Sequence, residues 1–334
     1  MRNLFFTESL KFEVNVIGYP SEGECILFFI KNDDKVCYAG LVDCYLNNNA
    51  DAIRKIMNRE NVDKLDFVCW THPHDDHTKG LDGIIDEFCN GSTIFWATDI
   101  IPEDYSLYSE ESKNVYMKLK ELHLSKKSTK LKIKYAKNAT VMERLIISGL
   151  QNYVFEIRSF APNSTVLAER KINNQEEAGN IYSIGLVINI GHFYIMLAGD
   201  VENPTFRTVE DGDIEFPLDY IKIPHHGSPS ASFLVDRMMG LNMRSPSVAT
   251  TTLYRKGRIP KPEILEKYRI WGTETILATG NIEDKKMDKN AYGIITTTFD
   301  VLEQKEYPIE TCIEGNSVVI GERKMSSILE NVTQ

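Results

Sequence analysis

Long apolar runs are missing from this chain. No stretch approaches the roughly 20 consecutive apolar residues that span a bilayer. The opening MRNLFFTESLKFEVNV carries a patch of only three apolar residues before a strand-like pattern begins, too short for the core of a secretion signal. A cytoplasmic protein with no membrane partner is expected. Paired cysteines are missing too: Cys25, Cys37, Cys44, Cys69, Cys89 and Cys312 include no CxxC, and most sit in apolar runs. They read as small buried hydrophobes of a reduced protein, and a disulfide framework is not expected at 334 residues. Positive charge is in deficit, with 38 Lys and Arg against 48 Asp and Glu and a net charge of -10. That argues against an overall basic nucleic-acid binder, though it leaves room for a local basic groove. Repeats, low-complexity tracts and Pro/Ser linkers are absent, so one domain over 1–334 is expected, with a short tail from about 322 to 334.

Histidine is scarce as well, yet His72, His74 and His77, three of the seven, fall within six residues of THPHDDHTKG. The surrounding pattern is α/β. KFEVNVIG alternates, and ECILFFI and VCYAGLVDC flank the turn NDD as in a hairpin. Ile53, Ile56 and Met57 have helical spacing. LDFVCW is a short buried strand that runs directly into the histidines, and Leu81, Ile84, Ile85 and Phe88 then mark a helix before the strand STIFWA. This order puts the cluster at the carboxyl end of a strand, where α/β folds bind ligands. Residues from about 103 to 138 turn from acidic to basic (Lys118, Lys120, Lys126, Lys127, Lys130, Lys132, Lys134 and Lys137) and read as a basic insertion beside the core. Strands resume with YVFEIRSF, IYSIGLVINI and FYIMLAG, and YIKIP leads into a second histidine pair, HHGS. SVATTTL, TETILATG and YGIITTTFDV are further strands, with PEILEKYRIWG a helix between the first two. The whole reads as a layered α/β sandwich.

Hydrolytic metal centres need neutral imidazoles and carboxylates that converge on one point. His72 and His74, two apart, can point the same way from an extended segment; Asp76 and His77 follow within a turn and can serve an adjacent ion. Asp200 ends the strand YIMLAG, His225 and His226 follow YIKIP, and Asp43 ends AGLVD. All of these candidates therefore lie at the ends of apolar strands. Read alone, the residues give metal-assisted hydrolysis and no substrate.

These residues resemble the HxHxDH, strand-terminal Asp and strand-terminal His of metallo-β-lactamase-fold hydrolases, over about residues 11 to 300. NIYSIGLVINIGHFYIMLAGD and IKIPHHGS are similar, more narrowly, to stretches of the ComEC-like subgroup. The resemblance implies an α/β, αββα four-layer sandwich and a centre with one or two Zn²⁺ or Mn²⁺ ions. Its metal ligands would be His72, His74, Asp76, His77, Asp200 and, from the H-x-G-[ST] offset, His225. Asp76 would orient a metal-bound hydroxide, Asp43 would orient the site, and His226 would protonate the leaving group. Lys222, Ser228 and Arg255 would face substrate. The chain departs from most two-metal members in one respect: only His123 and His192 lie between the HxHxDH and Asp200, and neither is placed to ligate.

The subgroup implies a phosphodiesterase or nuclease, with DNA or RNA among its substrates; an additional protein partner is compatible with it. The acidity of the chain favours the alternative of a small-molecule ester, cyclic nucleotide or lactone. The missing histidine keeps open a third reading, a metal-binding effector module without turnover.

Overall fold

The computed structural model describes residues 3–19, 23–47, 51–98, 108–124, 131–172, 179–210, 212–254, 256–281, 292–303, 307–322 and 328–330. Its strands form two nine-stranded sheets. The first runs, in spatial order, through Ile328–Glu330, Glu310–Gly315, Gly293–Asp300, Leu10–Gly18, Glu24–Asn32, Lys35–Val42, Phe67–Trp70, Ile94–Thr98 and Lys132–Ala136. The second runs through Asn3–Phe5, Thr140–Ser148, Asn152–Ser159, Leu186–Ile190, Phe193–Leu197, Tyr220–Lys222, Val248–Thr251, Thr275–Ala278 and Val318–Glu322. The expected hairpin after Glu24 closes at Asp33 and Asp34, whose φ of 49° and 62° match the positive angles of a two-residue turn.

Because side chains alternate along a strand, each sheet offers one face to the other and one to helices. Phe12, Val14, Phe28 and Phe67 of the first sheet meet Leu145, Ile157, Ile188 and Leu197 of the second in one apolar layer. The opposite face of the first sheet, with Leu27, Phe29, Leu41 and Val68, packs on the helices Ala52–Arg59, Leu81–Phe88 and Glu110–Leu124. Met196, Ile221 and Ala249 of the second pack on Phe233–Gly240 and Pro262–Trp271. The order is therefore helix, sheet, sheet, helix, the αββα sandwich expected. Each buried Phe or Leu contributes about 1.5–3 kcal/mol over leaving it in water.

The segment expected to be a basic insertion is built into these layers wherever it is described. Val115, Tyr116 and Leu119 are buried against the first sheet, and Lys132–Ala136 closes its edge parallel to Ile94–Thr98. The lysines hid an apolar helix face. Within this run, Lys118 Nζ lies 2.9 Å from Asp86, on a neighbouring helix, and 3.6 Å from Glu121. Lys126, Lys127 and Lys130 fall outside the described residues. The expected tail also contributes strand, since residues 328–330 pair with Thr311–Ile313.

Two parallel runs fix the position of the site. Lys35–Val42, Phe67–Trp70 and Ile94–Thr98 point one way in the first sheet. Phe193–Leu197, Tyr220–Lys222, Val248–Thr251 and Thr275–Ala278 are likewise mutually parallel in the second. The ends of the two runs are tied where Ile184 N–H donates to the Thr71 carbonyl at 3.1 Å. Among the described residues no helix is long and apolar enough to cross a membrane.

Candidate metal centre

Phe67–Trp70 ends and the chain leaves the sheet through Thr71, His72 and Pro73 before a four-residue helix, Asp75–Thr78. Two contacts lock this loop from behind. Trp70 Nε1–H donates to Thr78 Oγ1 at 2.8 Å, and Thr78 Oγ1–H donates to the His74 carbonyl at 2.6 Å. From outside, Ser112 Oγ donates to the Pro73 carbonyl at 2.8 Å, so the helix read as an insertion braces the ligand loop.

Asp43 sits in the left-handed region, φ 59°, just past Lys35–Val42, and is 1% exposed. It accepts from Thr71 N (2.7 Å) and Thr71 Oγ1 (2.6 Å), and His77 Nδ1 lies 2.7 Å away. An ionised carboxylate only accepts, so His77 Nδ1 carries a hydrogen and Nε2 is the nitrogen turned inward. The Thr71 hydroxyl proton is committed to Asp43, so its oxygen accepts from His72 Nδ1 at 3.0 Å. His72 Nε2 is thereby bare and faces His74 Nδ1 at 3.1 Å.

Asp200 follows Gly199, whose φ is 52° and where a Cβ would meet Ser183 Oγ at 2.8 Å. Glycine is needed there, both for the angle and for the approach. Asp200 N–H donates to the same Ser183 Oγ at 3.0 Å. His225 (φ 45°, ψ 51°) and His226 (φ 51°, ψ 20°) are consecutive left-handed residues. Strain of about 1–3 kcal/mol at each is typical of such non-glycine positions and gathers at functional sites. The turn separates the two rings. His226 is 1% exposed and enters the centre, while the His225 side chain is 20% exposed at its edge.

Asp76, His77, Asp200 and His226 converge, with ligand atoms all within 4.8 Å of one another. His77 Nε2 lies 3.4 Å from Asp200 Oδ2 and 3.7 Å from Asp76 Oδ2. His226 Nε2 lies 3.5 Å from both Asp76 Oδ2 and Asp200 Oδ1. Tetrahedral bonds of about 2.0–2.2 Å set ligand atoms about 3.4 Å apart, so this set fits a divalent ion. His77 Nε2, His226 Nε2 and Asp200 Oδ1 are also buried without any hydrogen-bond partner, a costly state that an ion would relieve. His72 Nε2 is 3.9 Å from Asp200 Oδ2, so His72 and His74 form a looser second pair beside the same carboxylate.

Charge gives the same answer. Asp43, Asp76 and Asp200 face the imidazoles of His77 and His226, and Glu24 pairs with the buried ammonium of Lys222. Burial alone would lower the His77 and His226 imidazoles. Asp200, Asp43 and Asp76 instead hold His77 well above its ordinary value, and Asp200 and Glu24 raise His226 to about 9. Conversely, burial would raise Asp200, but His226, His77 and His225 hold it well below the carboxylate range. Without an ion, protons therefore supply the missing positive charge. Burial together with the other imidazoles lowers His72, and burial lowers His74. Both shifts favour the neutral ring that a ligand needs.

Several expected roles shift. His226, not His225, converges with Asp76, His77 and Asp200, because the second left-handed residue turns the ring inward. His225 Nδ1 is engaged by Ser230 Oγ (2.9 Å) and Glu202 (3.0 Å), and its Nε2 lies 3.7 Å from Asp200 Oδ2. Lys222 cannot reach substrate as expected: it is fully buried against Glu24. Ser228 braces the turn, 2.9 Å from Ser230 Oγ. Arg255 lies outside the described residues. His123 is exposed on the outer helix and His192 sits in the turn at the far end of Phe193–Leu197, so neither joins the centre. Glu24 was missed, although an acidic residue opening an apolar strand, and a lysine ending another, were visible signals. A cavity of about 460 Å³ lined by Pro260, Leu265, Arg269, Ile276 and Ile320 contains none of the centre's residues.

No protein-family profile matches the chain, and no curated protein matches it. Solved structures do. A protein of Parabacteroides distasonis assigned as a metal-dependent hydrolase aligns at 15% identity over 78% of this chain and 96% of its own, with TM-score 0.38. A diphosphatase of the PhnP family aligns at 12% identity over 73% and 86%, with TM-score 0.37. The metallo-β-lactamase fold protein YhfI of Bacillus subtilis aligns at 12% identity over 72% and 71%, with TM-score 0.33. Overlaps this partial carry no chemistry over to this chain.

Proposed function

We propose that the protein is a metal-dependent hydrolase of phosphodiesters. One observation carries the metal: three orphaned, buried ligand atoms at ion spacing, on His77, His226 and Asp200. Zinc or manganese held by Asp76, His77, Asp200 and His226, with a second ion at His72 and His74, would supply a Lewis acid and an ionised water near neutral pH. The remaining work falls to the chain. Asp76, 14% exposed at the open side of the set, orients the attacking water. Asp43 fixes the His77 ring. His225 serves as the proton donor to the leaving oxygen only when both ring nitrogens carry hydrogen: Glu202 and Ser230 engage its Nδ1, while Nε2, 3.3 Å from Asn180 Nδ2, lies toward the Asp200 side of the centre at the edge that solvent reaches. The phosphodiester assignment rests on the resemblance of IKIPHHGS and its neighbours to the ComEC-like subgroup. The loop of Lys256 and Arg258 supports it. Both are exposed, and the loop begins at Tyr254, whose ring stacks on His226 with centroids 5.3 Å apart.

The test is metal analysis of the purified protein beside cleavage of a model phosphodiester and of single-stranded DNA across a salt series. Retained metal with cleavage of either substrate is expected. Cleavage and affinity for DNA that fall steeply with salt mark a polyanion substrate; salt-insensitive turnover of the small ester alone marks the small-molecule alternative. Failure to load any divalent ion removes the hydrolase reading.

A further inference from the structure

Glu24 opens a strand of the first sheet and Lys222 ends a strand of the second. The two side chains are 1% and 0% exposed, and Lys222 Nζ lies 2.9 Å from Oε1 and 2.6 Å from Oε2 of Glu24. A buried pair of this kind gains little over apolar packing, and losing one partner is costly. Its presence beside the centre therefore calls for a role, and the remaining contacts of Glu24 supply one.

Glu24 Oε2 accepts the hydroxyl proton of Thr252 at 2.5 Å. Thr252 Oγ1, its single proton spent, presents only lone pairs to His226 Nδ1 at 2.6 Å. Glu24 Oε2 itself lies 3.2 Å from the same Nδ1. Both of these neighbours of Nδ1 are acceptors, so Nδ1 carries a hydrogen, and in the neutral ring Nε2 is the bare nitrogen.

We propose that Glu24, charge-balanced by Lys222 and acting through Thr252, is a positioning residue that fixes His226 as its Nδ1–H tautomer and so keeps Nε2 available between Asp76 and Asp200. The value of this tautomer for ion binding rests on the metal reading above; the tautomer itself is a property of the protein alone. Glu24 thus does for His226 what Asp43 does for His77, with the carboxylate reaching across from the opposite sheet.

Long-range ¹H–¹⁵N spectra of ion-free, ¹⁵N-histidine-labelled protein test this. They are taken along an alkaline pH series, at the plateau where the His226 shifts no longer change, with His226 assigned by its loss in His226→Gln. The wild type should show His226 protonated at Nδ1 alone; protonation at Nε2 overturns the proposal with no need of a variant. In the double variant Glu24→Leu/Lys222→Met, which removes acceptor and ammonium together, Thr252 is free to donate, and the Nε2–H form should appear. An unchanged Nδ1–H ring in a folded double variant also overturns it. Zinc affinity should fall about 10–100-fold in that variant. Wild-type affinity alongside an altered tautomer contradicts the link to binding. If the wild type binds no zinc, the metal reading fails while the spectra still decide the tautomer.

Discussion

His77 and His226 are each held at Nδ1 by an acceptor that is buried in turn, Asp43 for one and Thr252 backed by Glu24 for the other. On the opposite side of Asp200 the same residue types are held more loosely. His72 is fixed through Thr71, but its partner His74 is only part-buried, and His225 is committed at Nδ1 to Glu202 and Ser230 at the solvent edge. One half of the centre is thus a four-ligand set already at ion spacing, and the other is a pair of imidazoles. The difference lies in the layer behind the ligands: a histidine becomes a dependable ligand when its remote nitrogen has a single possible role.

Substitutions should separate the halves in a fixed order of size. His77→Ala and Asp200→Ala should remove the tightly held ion and abolish hydrolysis, read by metal analysis and turnover on one sample. Asp43→Asn leaves the ligands in place but allows His77 the wrong tautomer; a loss of about 10–100-fold in metal affinity is expected by competition titration. His74→Ala should lower the occupancy of a second ion while the first stays bound. If it empties both, the two halves are one cooperative site and the distinction between them is wrong. Acidification should also act on the tight half. His226 is raised to about 9, above the ordinary 6.5, so its proton is present below that value and must leave when an ion binds. Apparent metal affinity should therefore fall as pH drops below about 9, by roughly tenfold per unit for each proton displaced. Flat affinity between pH 9 and 7 would contradict the charge balance drawn for the ion-free centre. The smallest effect is expected at His123 and His192, whose replacement by alanine should leave metal content unchanged and stability within about 0.5 kcal/mol.

Much of the scaffold was legible because it is written in periodicity. The hairpin at Asp33–Asp34, the helices Ala52–Arg59 and Pro262–Trp271, and the strands that end in Val42, Trp70, Leu197 and Lys222 follow from apolar spacing and turn residues. Thr140–Ser148 was not legible. It is a half-buried strand with charges at Glu143 and Arg144 and a register shift beside them that breaks the alternation. The segment from 103 to 138 misled for a related reason, since charge on one helix face masks the apolar face that packs. In the site, residue type and strand-end position located the ligands. Whether His225 or His226 turns inward depends on two successive left-handed residues, a backbone choice that no side-chain pattern encodes. Glu24 and Lys222 are 198 residues apart and meet only when the two sheets face each other.

The most direct test compares tightly bound divalent metal in His226→Ala and His225→Ala, purified side by side with the wild type. A centre completed by His226 requires His226→Ala to lose the tight ion while His225→Ala keeps it and loses turnover. Retention of that ion by His226→Ala together with its loss from His225→Ala would contradict the assignment.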